Sequence, residues 1–237
     1  MPFRSGNPSA IAVLLAALGV GLSGALMPGP LTVVVLHQAM RLGTAAGLLA
    51  GSAHALLEFF MVLALGVGLG RLLNRPAVAG GVALAGGLAM LAISWQMVMA
   101  PPPLPPAVQP GPGLIPSGAL LGGAVATLGN PYWFVWWATV GASQIAWAGR
   151  RHRLIFWLGH ITADLAWLTV LAVAVSRGRN LLGGPAYSLL LQGLGAAVAV
   201  LGLYFVLSAR RLARGRGPTG NPTRKESTGQ RGRKLGR

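Results

Sequence analysis

Residues Ser9 to Gln38 read SAIAVLLAALGVGLSGALMPGPLTVVVLHQ. No Lys, Arg, Asp or Glu interrupts them. A straight helix of that length would run about 45 Å, half again the ~30 Å hydrocarbon core of a bilayer. Near the middle stands Met27-Pro28-Gly29-Pro30. Proline removes a backbone donor and frees a carbonyl, which lipid tolerates only beside protein or a water-filled cavity. The stretch therefore reads as a membrane span broken at its proline pair.

The whole chain agrees with a membrane setting. Of 237 residues 54% are hydrophobic and only 9% charged, with mean hydropathy +0.64. A soluble domain carries about 25% charged residues. A window of about 19 residues finds six apolar segments, near 9–38, 44–70, 77–99, 117–147, 154–176 and 186–208. The fourth is again too long for one crossing and is interrupted at Gly129-Asn130-Pro131. Residues 100–116, with eight prolines and no charge, read as an extended loop joining the two halves. The fold expected for residues 1–208 is thus an all-α integral membrane domain of six spans.

Net charge is +16, but ten of the nineteen Lys and Arg lie from Arg210 to Arg237, beyond the last apolar run. Residues 209–237 read as a basic, disordered cytoplasmic tail, with no specific nucleic-acid partner expected. Both termini inside gives sixteen basic residues on the cytoplasmic side and three outside, the favoured bias. Arg4, the apolar run from Ile11 and Ser23-Gly24-Ala25 mimic a signal peptide. Cleavage is not expected, because apolar sequence resumes at Leu31 and further spans follow. Cysteine is absent, which excludes disulfides and thiolate chemistry.

Only three residues are acidic. Two of them, Glu58 and Asp164, fall inside apolar spans, each four residues after a histidine: His54 and Glu58, His160 and Asp164. Residues four apart share a helix face. An ionisable group at bilayer depth costs roughly 2.5–3.5 kcal/mol even on the lenient scale, and faces a bundle interior or a wet cavity.

The order of features in residues 9–99 recurs in 117–208: a proline-broken span, a span with the His-carboxylate pair, and a small-residue-rich span. Three spans per half is odd, so the second copy is inserted upside down. Inverted repeats with broken helices mark secondary transporters, whose sites lie at the repeat interface near the midplane.

These residues resemble the LysE/RhtB translocator family of bacterial amino-acid exporters. The resemblance rests on Pro28-Gly29-Pro30, Gly43, Gly47 and Gly51, Asn130-Pro131 followed by Tyr132-Trp133-Phe134, the Asp164-Leu165-Ala166-Trp167 segment, and Gly202-Leu203-Tyr204-Phe205. It covers roughly residues 9–208. Two positions depart from it: Tyr132 stands where the family usually has lysine, and Ser52 where many members have an acid. The resemblance implies a plasma (inner) membrane transporter in bacteria, exporting a small amino acid or derivative.

The expected substrate-binding residues are Pro28, Gly29, Pro30, Asn130, Pro131, Glu58 and Asp164. Helices restarting after each break offer free amides and a positive dipole end to a substrate carboxylate. Either carboxylate suits an ammonium group. The expected proton-coupling set is Glu58, Asp164, His54 and His160, since burial and a neighbouring histidine act oppositely on a carboxyl proton. His37 reads as solvated at an interface and His152 as a loop residue. Part of the Tyr132–Trp137 aromatic block is expected to face lipid.

Two rival readings remain open. The two histidines and two carboxylates suit a divalent transition metal, giving a metal exporter, provided they converge. A membrane enzyme is a weaker reading, because no His-Glu-x-x-His and no Gly-x-Ser-x-Gly occurs. No cofactor is expected, membrane lipid is the expected surround, and small-residue faces permit a homodimer.

Overall fold

A computed structural model describes residues 8–101, 117–178 and 184–215. The described residues are helical, with no strand among them. Arg4, the proline-rich loop beyond Pro101 and the basic tail beyond Gly215 lie outside them.

The first break forms where the prolines stand. Helix α1 (Ala10–Ala25) opens with the Ser9 hydroxyl accepting the Ala12 amide at 3.2 Å, a side-chain N-cap. Gly29 is fully extended, and α2 (Pro30–Leu42) restarts with Pro30 in the first helical position, where a missing N–H is harmless. The two axes meet at 79°. Helix α2 ends at Gly43, whose φ of 64° favours glycine.

Helix α3 (Ala45–Gly66) crosses with its histidine and glutamate, then stops at Gly68, φ 108°. The sequence reading ran this span to residue 70; a short helix α4 (Leu69–Leu73) takes up those residues instead. Helix α5 (Pro76–Met99) follows.

The second break forms with different local chemistry. Helix α6 (Ser117–Leu128) ends before Asn130, whose side-chain carbonyl accepts the Tyr132 amide at 3.0 Å and caps α7 (Pro131–Trp136). A π turn over Trp137–Gly141 leads into α8 (Ala142–Gly178). The helical run Pro131–Gly178 has 48 residues, about 72 Å at 1.5 Å per residue, more than twice the hydrocarbon core. Gly149, at φ 70° and ψ 173°, divides it. His152 therefore sits in the helical turn after that kink and not in an open loop. Helix α9 (Gly184–Ala213) runs five residues past the expected end at 208, with Arg210 and Arg211 in its last turn, where cations complement the dipole.

Four helices are long and apolar enough to cross a membrane, five if α1 and α2 count as one span. Among the described residues, large apolar side chains such as Ile11, Phe60, Leu121 and Val200 are exposed, while the buried polar residues are Glu58, Ser94, Thr127, His160 and Asp164. That is the pattern of a multi-pass membrane protein: apolar toward lipid, polar toward the interior.

Glycine lets the helices touch. On α5 and α9, a Cβ on Gly87 would lie 2.9 Å from the Gly202 carbonyl oxygen, and one on Gly202 3.0 Å from that of Gly87. On α1 and α8, a Cβ on Gly21 would lie 2.8 Å from the His160 carbonyl oxygen. With no hydrophobic drive between helices in lipid, such close backbone packing supplies the association.

Candidate functional site

Helices α3 and α8 pack together, and the two His-carboxylate pairs that they carry converge. His54 Nε2 lies 3.1 Å from Glu58 Oε1 and 3.6 Å from Asp164 Oδ2. His160 Nε2 lies 3.4 Å from Glu58 Oε1 and 3.5 Å from Asp164 Oδ2. Each histidine therefore faces the carboxylate of the other helix as well as its own. Glu58, His160 and Asp164 are 1%, 3% and 5% exposed.

Thr127, near the end of α6, completes the geometry. Its hydroxyl donates to the Gly123 carbonyl at 2.7 Å, and a carbonyl can only accept. The hydroxyl oxygen is then the acceptor at 2.9 Å from His54 Nδ1, so Nδ1 carries a proton. His54 Nε2 and Glu58 Oε1, at 3.1 Å, can bond only with a proton between them. The pair is either imidazolium and carboxylate or neutral imidazole and carboxylic acid. It is a proton-holding unit in both forms.

His160 is held differently. Its ring stacks on Phe156 (interplanar 15°, centroids 5.9 Å) and lies against Trp136 and Trp137 at 4.8 and 5.2 Å. Its Nδ1 is buried with no hydrogen-bond partner. The nearby surface of α1 is Gly21, which offers no hydroxyl.

Glu58 Oε1 also accepts the indole N–H groups of Trp133 at 3.4 Å and Trp137 at 3.3 Å. These tryptophans are buried about the acid, so that face of the aromatic block points inward and not to lipid. The i, i+4 spacing of the two was the signal for a shared face. Thr127 carried no comparable signal. His37 also differs from its reading as solvated: its Nδ1 lies 3.1 Å from the hydroxyl of buried Tyr187.

A cavity of about 80 Å³ opens on this cluster. A water needs roughly 10–15 Å³ in the same measure, so the space admits several waters or a small polar solute. Gly29, Leu31 and Thr32 bound it from the first break, and Asn130 and Tyr132 from the second. The two breaks meet: a Cβ on Gly29 would lie 3.4 Å from Asn130 Nδ2. Pro28 is exposed, Pro30 is buried at the start of α2, and Pro131 packs on Gly86 of α5. None of the three prolines lines the cavity.

The polar groups around the cavity include both donors and acceptors. The Leu31 and Thr32 amides have no intrahelical acceptor and no capping side chain. Asn130 spends its carbonyl on its own helix, leaving its Nδ2 as donor. Glu58 Oε2 is buried with no hydrogen-bond partner, and Asp164 Oδ2, buried as well, has only the two imidazole Nε2 atoms at 3.5–3.6 Å beside it, beyond hydrogen-bond distance. His54, Glu58 and Asp164 also offer one ligand atom each, all within 4.8 Å of one another, enough for a metal donor set.

The family model for the LysE type translocator matches residues 22–209. The chain belongs to the LysE type translocator family. This LysE-type chain is accordingly a membrane transport protein, and the match spans both breaks and both His-carboxylate pairs. No curated protein and no solved structure matches it.

Proposed function

We propose that this protein is a six-span secondary transporter that exports a small amino acid or close derivative across the bacterial plasma membrane, driven by proton entry. The observation that carries the reading is the meeting of both His-carboxylate pairs in one buried cluster, beside a cavity bounded by both helix breaks. The substrate carboxylate meets the Leu31 and Thr32 amides and Asn130 Nδ2. Its ammonium group meets Asp164 Oδ2 and Glu58 Oε2. When the substrate leaves, a proton takes its place and favours return to the inward-facing state. An inward proton gains roughly 2.3 kcal/mol per 100 mV of membrane potential.

The six spans are α1 with α2, α3, α5, the run from α6 to Ala148, the part of α8 after Gly149, and α9. An inverted repeat is supported by exchange packing: α1 lies on α8 as α6 lies on α3, while the third spans α5 and α9 pair with each other. Both termini are cytoplasmic in this reading.

A metal exporter is the second reading, favoured by the three-ligand set. It is the weaker one, because Glu58 Oε1 already accepts two indole N–H groups, and donors crowd a cation away.

The test is efflux from cells loaded with dipeptides, following all amino acids and homoserine in the medium by mass spectrometry. Protein-dependent efflux of one or a few of them is expected. No efflux from cells with the protein inserted, together with relief of metal toxicity, would favour the second reading.

A further inference from the structure

Away from the central cluster, three guanidinium groups share a cavity that no carboxylate of the described residues reaches. This cavity, about 550 Å³, lies between the end of α3, the turn into α4, and the Gly149 kink of α8. Arg71, Arg150 and Arg153 line it. Arg153 lies directly over Gly66, where a Cβ would strike its guanidinium. Its Nε is buried and has no hydrogen-bond partner.

Arg153 is half-buried and Arg71 and Arg150 are exposed at the mouth of the cavity, but a buried donor such as the Arg153 Nε is costly when left unpaired. The only carboxylates among the described residues are Glu58 and Asp164, and both belong to the central cluster. The C-terminal end of α3 supplies about half a negative charge at most, against three cations. A counter-anion at this cavity therefore comes from outside the described residues.

We propose that this cavity is an anion site for a phosphate group, and that its occupant is the phosphodiester headgroup of an anionic lipid. Arginine's planar fork matches phosphate oxygens in pairs. The cavity lies at the ends of apolar spans, where headgroups sit. Basic pockets between spans on the cytoplasmic side are suited to such lipids, and this end is cytoplasmic in the orientation proposed above. Gly68 and Gly149, both at positive φ, make the two turns that form its walls. A bound headgroup would tie the α3–α4 turn to the kink between two spans.

The test uses the full-length protein, purified in neutral detergent, with Arg153→Gln and the exposed-site variant Arg71→Gln. Thermal unfolding is followed with phosphatidylglycerol, phosphatidylcholine or inorganic phosphate added. The expected result is a midpoint several degrees higher with phosphatidylglycerol than with phosphatidylcholine, and at least half of that gain lost in each variant. The tail remains in all three proteins, so its general attraction to anionic lipid cancels. A gain with inorganic phosphate that equals the lipid's would keep the phosphate site but overturn the lipid as occupant. Equal gains in wild type and both variants would overturn the site. If Arg153→Gln does not fold, the comparison rests on Arg71→Gln. The site stands or falls independently of what the transporter carries.

Discussion

His54 Nδ1 lies 2.9 Å from the Thr127 hydroxyl, whose own proton is given to the Gly123 carbonyl. One hydroxyl on α6 thereby sets the tautomer of a histidine on α3. The consequence is local and chemical: the proton facing Glu58 sits on the His54–Glu58 pair and nowhere else on that ring.

Thr127→Val keeps the side-chain shape and removes the acceptor. Losing a hydrogen bond of this kind costs about 1.5–3 kcal/mol when a charged group is involved, or roughly ten- to a hundredfold in rate. Efflux is expected to fall by that factor with membrane insertion unchanged, and Thr127→Ser is expected to restore most of it. Unaltered efflux in Thr127→Val would show that the tautomer does not matter.

Glu58→Gln and Asp164→Asn each keep size and remove charge from the cluster. Efflux in either is expected to be largely lost, because each variant removes an intramembrane carboxylate assigned to substrate and proton binding. Normal transport by both variants, inserted at wild-type level, would sink the proposed mechanism.

Asn130 separates structure from binding. Asn130→Asp keeps the oxygen that caps Tyr132 but replaces the Nδ2 donor that faces Gly29. It is expected to insert and unfold like wild type while losing export of a carboxylate-bearing substrate. Asn130→Ala loses the cap as well, and is expected to be less stable by about 1 kcal/mol. Comparing melting points with efflux in the two variants checks this directly.

Gly19 and Gly21 lie two residues apart on α1 and predict opposite outcomes. A Cβ on Gly21 would lie 2.8 Å from the His160 carbonyl oxygen and 2.9 Å from its Nδ1, whereas one on Gly19 meets nothing within 4 Å. Gly21→Ala is expected to destabilise by about 1–3 kcal/mol, the usual cost of overpacking, and to impair transport. Gly19→Ala is expected to be neutral in both, measured by thermal unfolding in detergent and by efflux.

The membrane class, both breaks and the two His-carboxylate pairs were legible in the chain because each depends on local chemistry. Apolar run length is set by bilayer thickness, proline removes its donor wherever it stands, and residues four apart share a face in any helix. The same locality explains the boundary errors. The end of α3 at Gly66 and the helical course through His152 depend on glycine torsions at Gly68 and Gly149, which composition does not specify.

What only the tertiary structure decided is which of these features meet. That His54 reaches Asp164 and His160 reaches Glu58 depends on how α3 packs on α8. Thr127 and the indoles of Trp133 and Trp137 join the site from 73 to 79 residues away in the chain. Gly29 faces Asn130 across the halves in the same way. Such contacts arise from close glycine packing between helices distant in sequence, a pairwise property that no single segment encodes.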